Sequence, residues 1–180
     1  GSIVPTVFWW HGGALTPAQR RVLLQISLNG GSESLALFPV DVLGRTFVWD
    51  AAQDRYVRSL TATGAPSNGV RFELYLVDTE THLPQEPLMK VGYVDLTDVS
   101  TAQADRIGVT VAYLTQTIAS YTITAAVSTF SVSLGAAGYL ADGTERLDFD
   151  LSTTVSATGL SLDYALEGSN GFSASLVVTT

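Results

Sequence analysis

From Arg45 onward the hydrophobic residues of this chain recur at every second position, and that period decides the fold class. Successive side chains of a strand point to opposite faces, whereas a helix needs apolar residues three and four apart. Ile107, Val109, Val111 and Tyr113 alternate with Gly108, Thr110 and Ala112. Tyr121, Ile123, Ala125 and Val127 follow the same rule. So do Phe130, Val132 and Leu134, then Leu147, Phe149, Leu151, Thr153 and Val155. Leu160 to Leu166 and Phe172 to Val178 complete the series. Such alternation predicts antiparallel sheet with one dry face and one wet face.

Turn-forming residues separate these runs: Gly135–Gly138, Asp142-Gly143, Thr158-Gly159 and Gly168-Ser169-Asn170-Gly171. Short links place strands beside their neighbours in sequence, which is a meander. Upstream, 46–59 reads as a hairpin turning at Asp50–Asp54, and 70–78 and 89–96 read as strands. The expectation is an all-β chain with one short N-terminal helix. It has about eight to ten antiparallel strands, curled into a barrel or half-barrel or split as a sandwich. A barrel-like sheet ranks above the sandwich, because the alternation is continuous and the turns are short.

The first 44 residues follow other rules. Thr16 suits an N-cap and Pro17 a first helical position. Ala18, Val22 and Ile26 share one face, and Asn29-Gly30-Gly31 stops the helix read over 16–28. Before it stand Phe8, Trp9 and Trp10, which cannot all share one strand face. They read as an edge strand or plug on the core, or as a partner-interface anchor. The chain is expected to be one domain, with 1–44 packing on the sheet of 45–180. Gly1-Ser2 reads as a cloning remnant or a processed terminus.

Composition narrows the chemistry. With no Cys there is no disulfide scaffold, thiolate metal site or thiol enzyme. A formal charge of −8 argues against nucleic acid, which needs a basic surface. Residues 101–180 hold seven acidic side chains against two arginines, so the C-terminal strands draw their polarity from Ser, Thr and Asp. No apolar run is long enough for a spanning helix. A membrane barrel is disfavoured, because the helix and the irregular first 45 residues need an apolar surface to cover.

No nucleophile elbow, phosphate loop or dinucleotide fingerprint occurs. The two imidazoles, His11 and His82, have no partner at metal-ligand spacing, and no metal centre or cofactor is expected. Asp95 and Asp98, with Asp78 brought close if 70–78 and 89–96 pair, form a candidate cation site. The plainer reading of the chain's carboxylates is solubility and protection of sheet edges. No catalytic residue is assigned, and the chain reads as a non-enzyme.

The segments GRTFVWDAAQDRYV (44–57), GVRFELYLVD (69–78) and VGYVDLTD (91–98), after the LTPAQ helix start, resemble β-rich bacterial lipoproteins without assigned function. That resemblance implies an extracytoplasmic location; the lipid-anchoring Cys of such proteins is not in this sequence. The leading expectation is a structural or assembly subunit acting through a protein partner or self-assembly, with peripheral membrane contact compatible with it. The alternative is a carrier that holds a lipid or other apolar ligand inside a curled sheet.

Overall fold

The computed structural model describes residues 37–180, which form ten strands and no helix. The strands are β1 (Arg45–Asp50), β2 (Arg55–Arg58), β3 (Gly69–Tyr75), β4 (Lys90–Asp98) and β5 (Asp105–Tyr113). β6 (Gln116–Val127), β7 (Ser131–Ala141), β8 (Arg146–Ser156), β9 (Gly159–Gly168) and β10 (Ser173–Thr179) follow. They make one sheet in the order β10-β9-β8-β7-β6-β5-β4-β3-β1-β2. The expected helix over 16–28 and the Phe8-Trp9-Trp10 segment lie outside the described residues.

The meander holds from β3 to β10, where each strand pairs antiparallel with the next. One alternative drops out and one expectation changes. The sheet is open rather than a closed barrel, because β10 and β2 end the order and do not pair with each other. It is also mixed: β1 pairs parallel with β3, Phe47 opposite Phe72. Residues 51–68 carry the chain out through β2 and back, a link long enough for a parallel return.

The turns explain the short links. Asp50 Oδ1 accepts the N–H groups of Ala52 (2.9 Å) and Gln53 (3.2 Å). Asp142 Oδ1 accepts those of Thr144 and Glu145, each at 2.8 Å. An acidic side chain at the first turn position thus substitutes for a backbone acceptor. Those Glu145 and Thr144 donors hold the Asp142 carboxyl below its ordinary value. Gly135–Gly138 is not a turn but the middle of β7. Gly138 lies opposite Tyr121 on one side and Phe149 on the other, and its missing side chain lets those rings approach to 5.9 Å.

Register turns the period of two into two continuous faces. One cross-strand row reads Val70, Leu96, Val109, Tyr121, Gly138, Phe149, Leu166 and Ala174. The row one residue over, on the other face, reads Arg71, Asp95, Thr110, Ser120, Tyr139, Asp148, Glu167 and Ser173. A one-residue slip would exchange these sets, so the pattern itself pins the pairing.

The buried residues sit toward β1–β6. Val70, Tyr75, Val91, Val109, Ala112 and Ala119 form the core, beside an aromatic cluster of Phe47, Trp49, Tyr56 and Phe72. The Tyr56 hydroxyl donates to the Glu73 carbonyl oxygen (2.8 Å) and that of Tyr75 to Glu73 Oε2 (3.1 Å). Burial, reinforced by Glu73, pushes both phenols up to about 12. A raised acid favours its neutral form in the folded state. The stability this confers is full below the ordinary value of 10.0 and is lost as pH rises through about 12. In an alkaline titration followed at the phenolate absorbance, two of the seven tyrosines are expected to ionise only near pH 12. Substituting Phe at Tyr56 and Tyr75 is expected to remove that late step and leave the others in place.

Candidate contact surface

The apolar face changes character across the sheet. Over β3–β5 it is largely covered; over β6–β10 it is open. Ile123, Leu134, Leu140, Val155, Leu162 and Leu176 lie on it at 43%, 56%, 46%, 54%, 37% and 52% exposure. Phe130 and Phe172 extend it at opposite ends, in the links before β7 and β10, and are exposed as well. Isolated exposed apolar residues are ordinary, but a contiguous set on one sheet face marks a contact surface.

Electrostatics separates this surface from the rest of the strands. The charged residues of β6–β10 are Arg146, Asp148, Asp150, Asp163 and Glu167, and all occupy the alternate, polar positions. At the margin of this surface, Asp105 of β5 stands on the apolar side opposite Ala125. The polar face is lined instead by small hydroxyl side chains. Thr122, Thr124, Ser133 and Ser152, with Arg106 and Asp150, border a shallow trough of about 450 Å³. It is open to solvent and offers a ligand little burial.

Two constellations of Arg, Asp and Tyr stand on the polar face. The Arg71 guanidinium donates twice to Asp95, Nε to Oδ1 and Nη2 to Oδ2, both at 2.7 Å, and lies 3.6 Å above the Tyr93 ring. Arg146 repeats the arrangement with Asp148 and, at 3.8 Å, Tyr139. The first is part-buried and the second open to solvent. The Asp95 hydrogen bonds raise the pKa of Arg71, and the Asp148 hydrogen bonds raise that of Arg146.

The structure does not bring the candidate cation ligands together. Asp95 is taken by Arg71. Asp98 lies at the Gly69 end of the β3–β4 ladder, and Asp78 lies beyond its opposite, Tyr75 end. Partial burial pushes the Asp98 carboxyl up, but donors from Ser100 and Leu37 outweigh it and hold it below its ordinary value. Asp78 accepts the N–H groups of Thr81 and Glu80, which lower its pKa. Each carboxylate therefore serves its own turn or pair. Among the described residues no cluster of three His, Cys, Asp or Glu forms. His82 sits in the loop after β3, its N–H donating to the Asp78 carbonyl at 2.9 Å; His11 lies outside the described residues.

The open apolar face is what inspection of sequence missed. Its signal was present in the charges of β6–β10, all at one parity, and in the number of alternating runs. Compared with protein families, curated proteins and solved structures, the chain finds no match.

Proposed function

We propose that this chain is a non-enzymatic structural or interaction protein whose working surface is the apolar face of β6–β10. The observation that carries this reading is that every charged side chain of those strands stands on the opposite face, while the apolar side is open to solvent. Such a face is costly in water and is stabilised by being covered, at about 25 cal/mol per Å² of apolar surface removed from water. The absence of Cys, the single Lys and the wealth of Ser and Thr support an extracytoplasmic setting.

A carrier of apolar ligands is the second reading, favoured by the same surface. The openness of the sheet weighs against it, because an enclosed ligand needs walls on several sides. Native mass spectrometry of the chain purified without detergent separates the two. The contact reading expects a species free of co-purified lipid, and the carrier reading expects lipid adducts on a monomer. A bare monomer that also fails to enhance the fluorescence of anilinonaphthalene sulfonate would overturn both.

A further inference from the structure

We infer that the occupant of the apolar face is a second copy of this chain, docked face to face about a twofold axis. The inference rests on the contact reading above and names its partner. Three features of the face support it.

The first is area. Five strands spaced about 4.8 Å apart, with about 30 Å of strand in each, present about 700 Å². A standard stable interface takes about 800 Å² from each partner, whereas the largest apolar patch of a monomer is ordinarily about 300–600 Å². The face is thus of a size that a lone molecule seldom exposes and that a stable dimer needs.

The second is charge. An isologous interface sets each residue of the patch against the same patch, so any charge within it meets a like charge. Arg146, Asp148, Asp150, Asp163 and Glu167 all stand on the other side of the sheet. Face-to-face docking turns them outward on both copies. The same acidity disfavours an anionic membrane as the occupant.

The third is shape. Sheets pack face to face about 10 Å apart with their strands roughly aligned, using interdigitating apolar side chains. Leu134, Leu140, Leu151, Leu162 and Leu176 supply such side chains, and the small Ala136 between them leaves room for a facing residue. Dimerisation would build from two copies the sandwich that one copy does not complete.

The test is light scattering on the full chain over a dilution series, with two opposed substitutions. The expected result is a dimer mass for the parent. Leu134→Lys should weaken the dimer by at least about tenfold, as a charge inside an interface core does. Ser152→Lys, on the polar face, should leave it unchanged. Leu134 is half exposed in the single chain, so its substitution spares the fold; circular dichroism checks this.

Because the chain has no Cys, Leu134→Cys adds a unique thiol whose maleimide labelling reports cover directly. Slow labelling that quickens on dilution supports the dimer. A monomer with a shielded thiol means that another segment of the chain covers the face, and overturns the proposal together with the contact reading. A monomer with an open thiol that binds neutral phosphatidylcholine vesicles overturns the second copy but keeps the contact reading. A monomer with an open thiol that binds no vesicle overturns both.

Discussion

Gly92→Ala is expected to destabilise the protein by about 3 kcal/mol and to lower its melting temperature by about 9 °C. Gly92 is buried in β4, opposite Tyr113 of β5. The register of β4 with β3 shifts beside it, at Leu74/Tyr75, while its pairing with β5 is regular. The backbone of β5 lies directly against its α-carbon. A Cβ at Gly92 would stand 3.0 Å from the Ala112 carbonyl carbon and closer still to its oxygen. That obstacle is main chain within a hydrogen-bonded ladder, so relief means breaking or moving the ladder. Gly135→Ala is the control. Its Cβ would lie 3.3 Å from the Leu151 carbonyl oxygen, which a shift of a few tenths of an ångström relieves. The expected cost there is under about 1 kcal/mol. Chemical denaturation of both variants checks the difference. Equal losses would mean that β4 and β5 are not closely apposed at Gly92.

Asp95→Ala is expected to cost about 2 kcal/mol, whereas Asp148→Ala should leave stability nearly unchanged. The two aspartates make the same contacts: each binds an arginine that lies over a tyrosine ring. What differs is exposure. The side chains of Arg71 and Asp95 are 17% and 15% exposed, those of Arg146 and Asp148 51% and 46%. Removing Asp95 leaves a guanidinium with little water to replace two short hydrogen bonds. Removing Asp148 leaves one that water solvates at once. The 2 kcal/mol is set below the range for fully buried pairs, because the Arg71–Asp95 pair keeps some contact with solvent. Replacing both Arg71 and Asp95 with leucine should recover part of the loss, since no uncompensated charge then remains. Urea denaturation of the single and double variants gives the comparison. A loss at Asp148 matching that at Asp95 would show that burial is not the deciding variable.

Much of this architecture was legible before any coordinates. The alternation from Ile107 to Val178 places the strands, and turn signals such as Asp142-Gly143 place most of the links. Where the reading failed, the cause is physical. Gly135–Gly138 has the composition of a turn, yet its small residues make room for Tyr121 and Phe149 on neighbouring strands. The parallel pairing of β1 with β3 depends on where a chain of 18 residues returns, which local periodicity does not encode. Asp78, Asp95 and Asp98 looked like neighbours because β3 and β4 do pair, but Asp78 and Asp98 lie beyond opposite ends of the ladder.

By itself, the sequence determined the all-β class, the two-faced strands and the side on which each charged residue of β6–β10 stands. These follow from side-chain parity, a local property that every strand obeys whatever it packs against. The tertiary structure alone decided that the sheet stays open, that Asp95 belongs to Arg71, and that the apolar face is covered at one end and exposed at the other. Closure, pairing and burial depend on what lies across from a residue, and that is set by long-range register. Parity identified the dry face; only the assembled sheet shows that its β6–β10 half stays exposed.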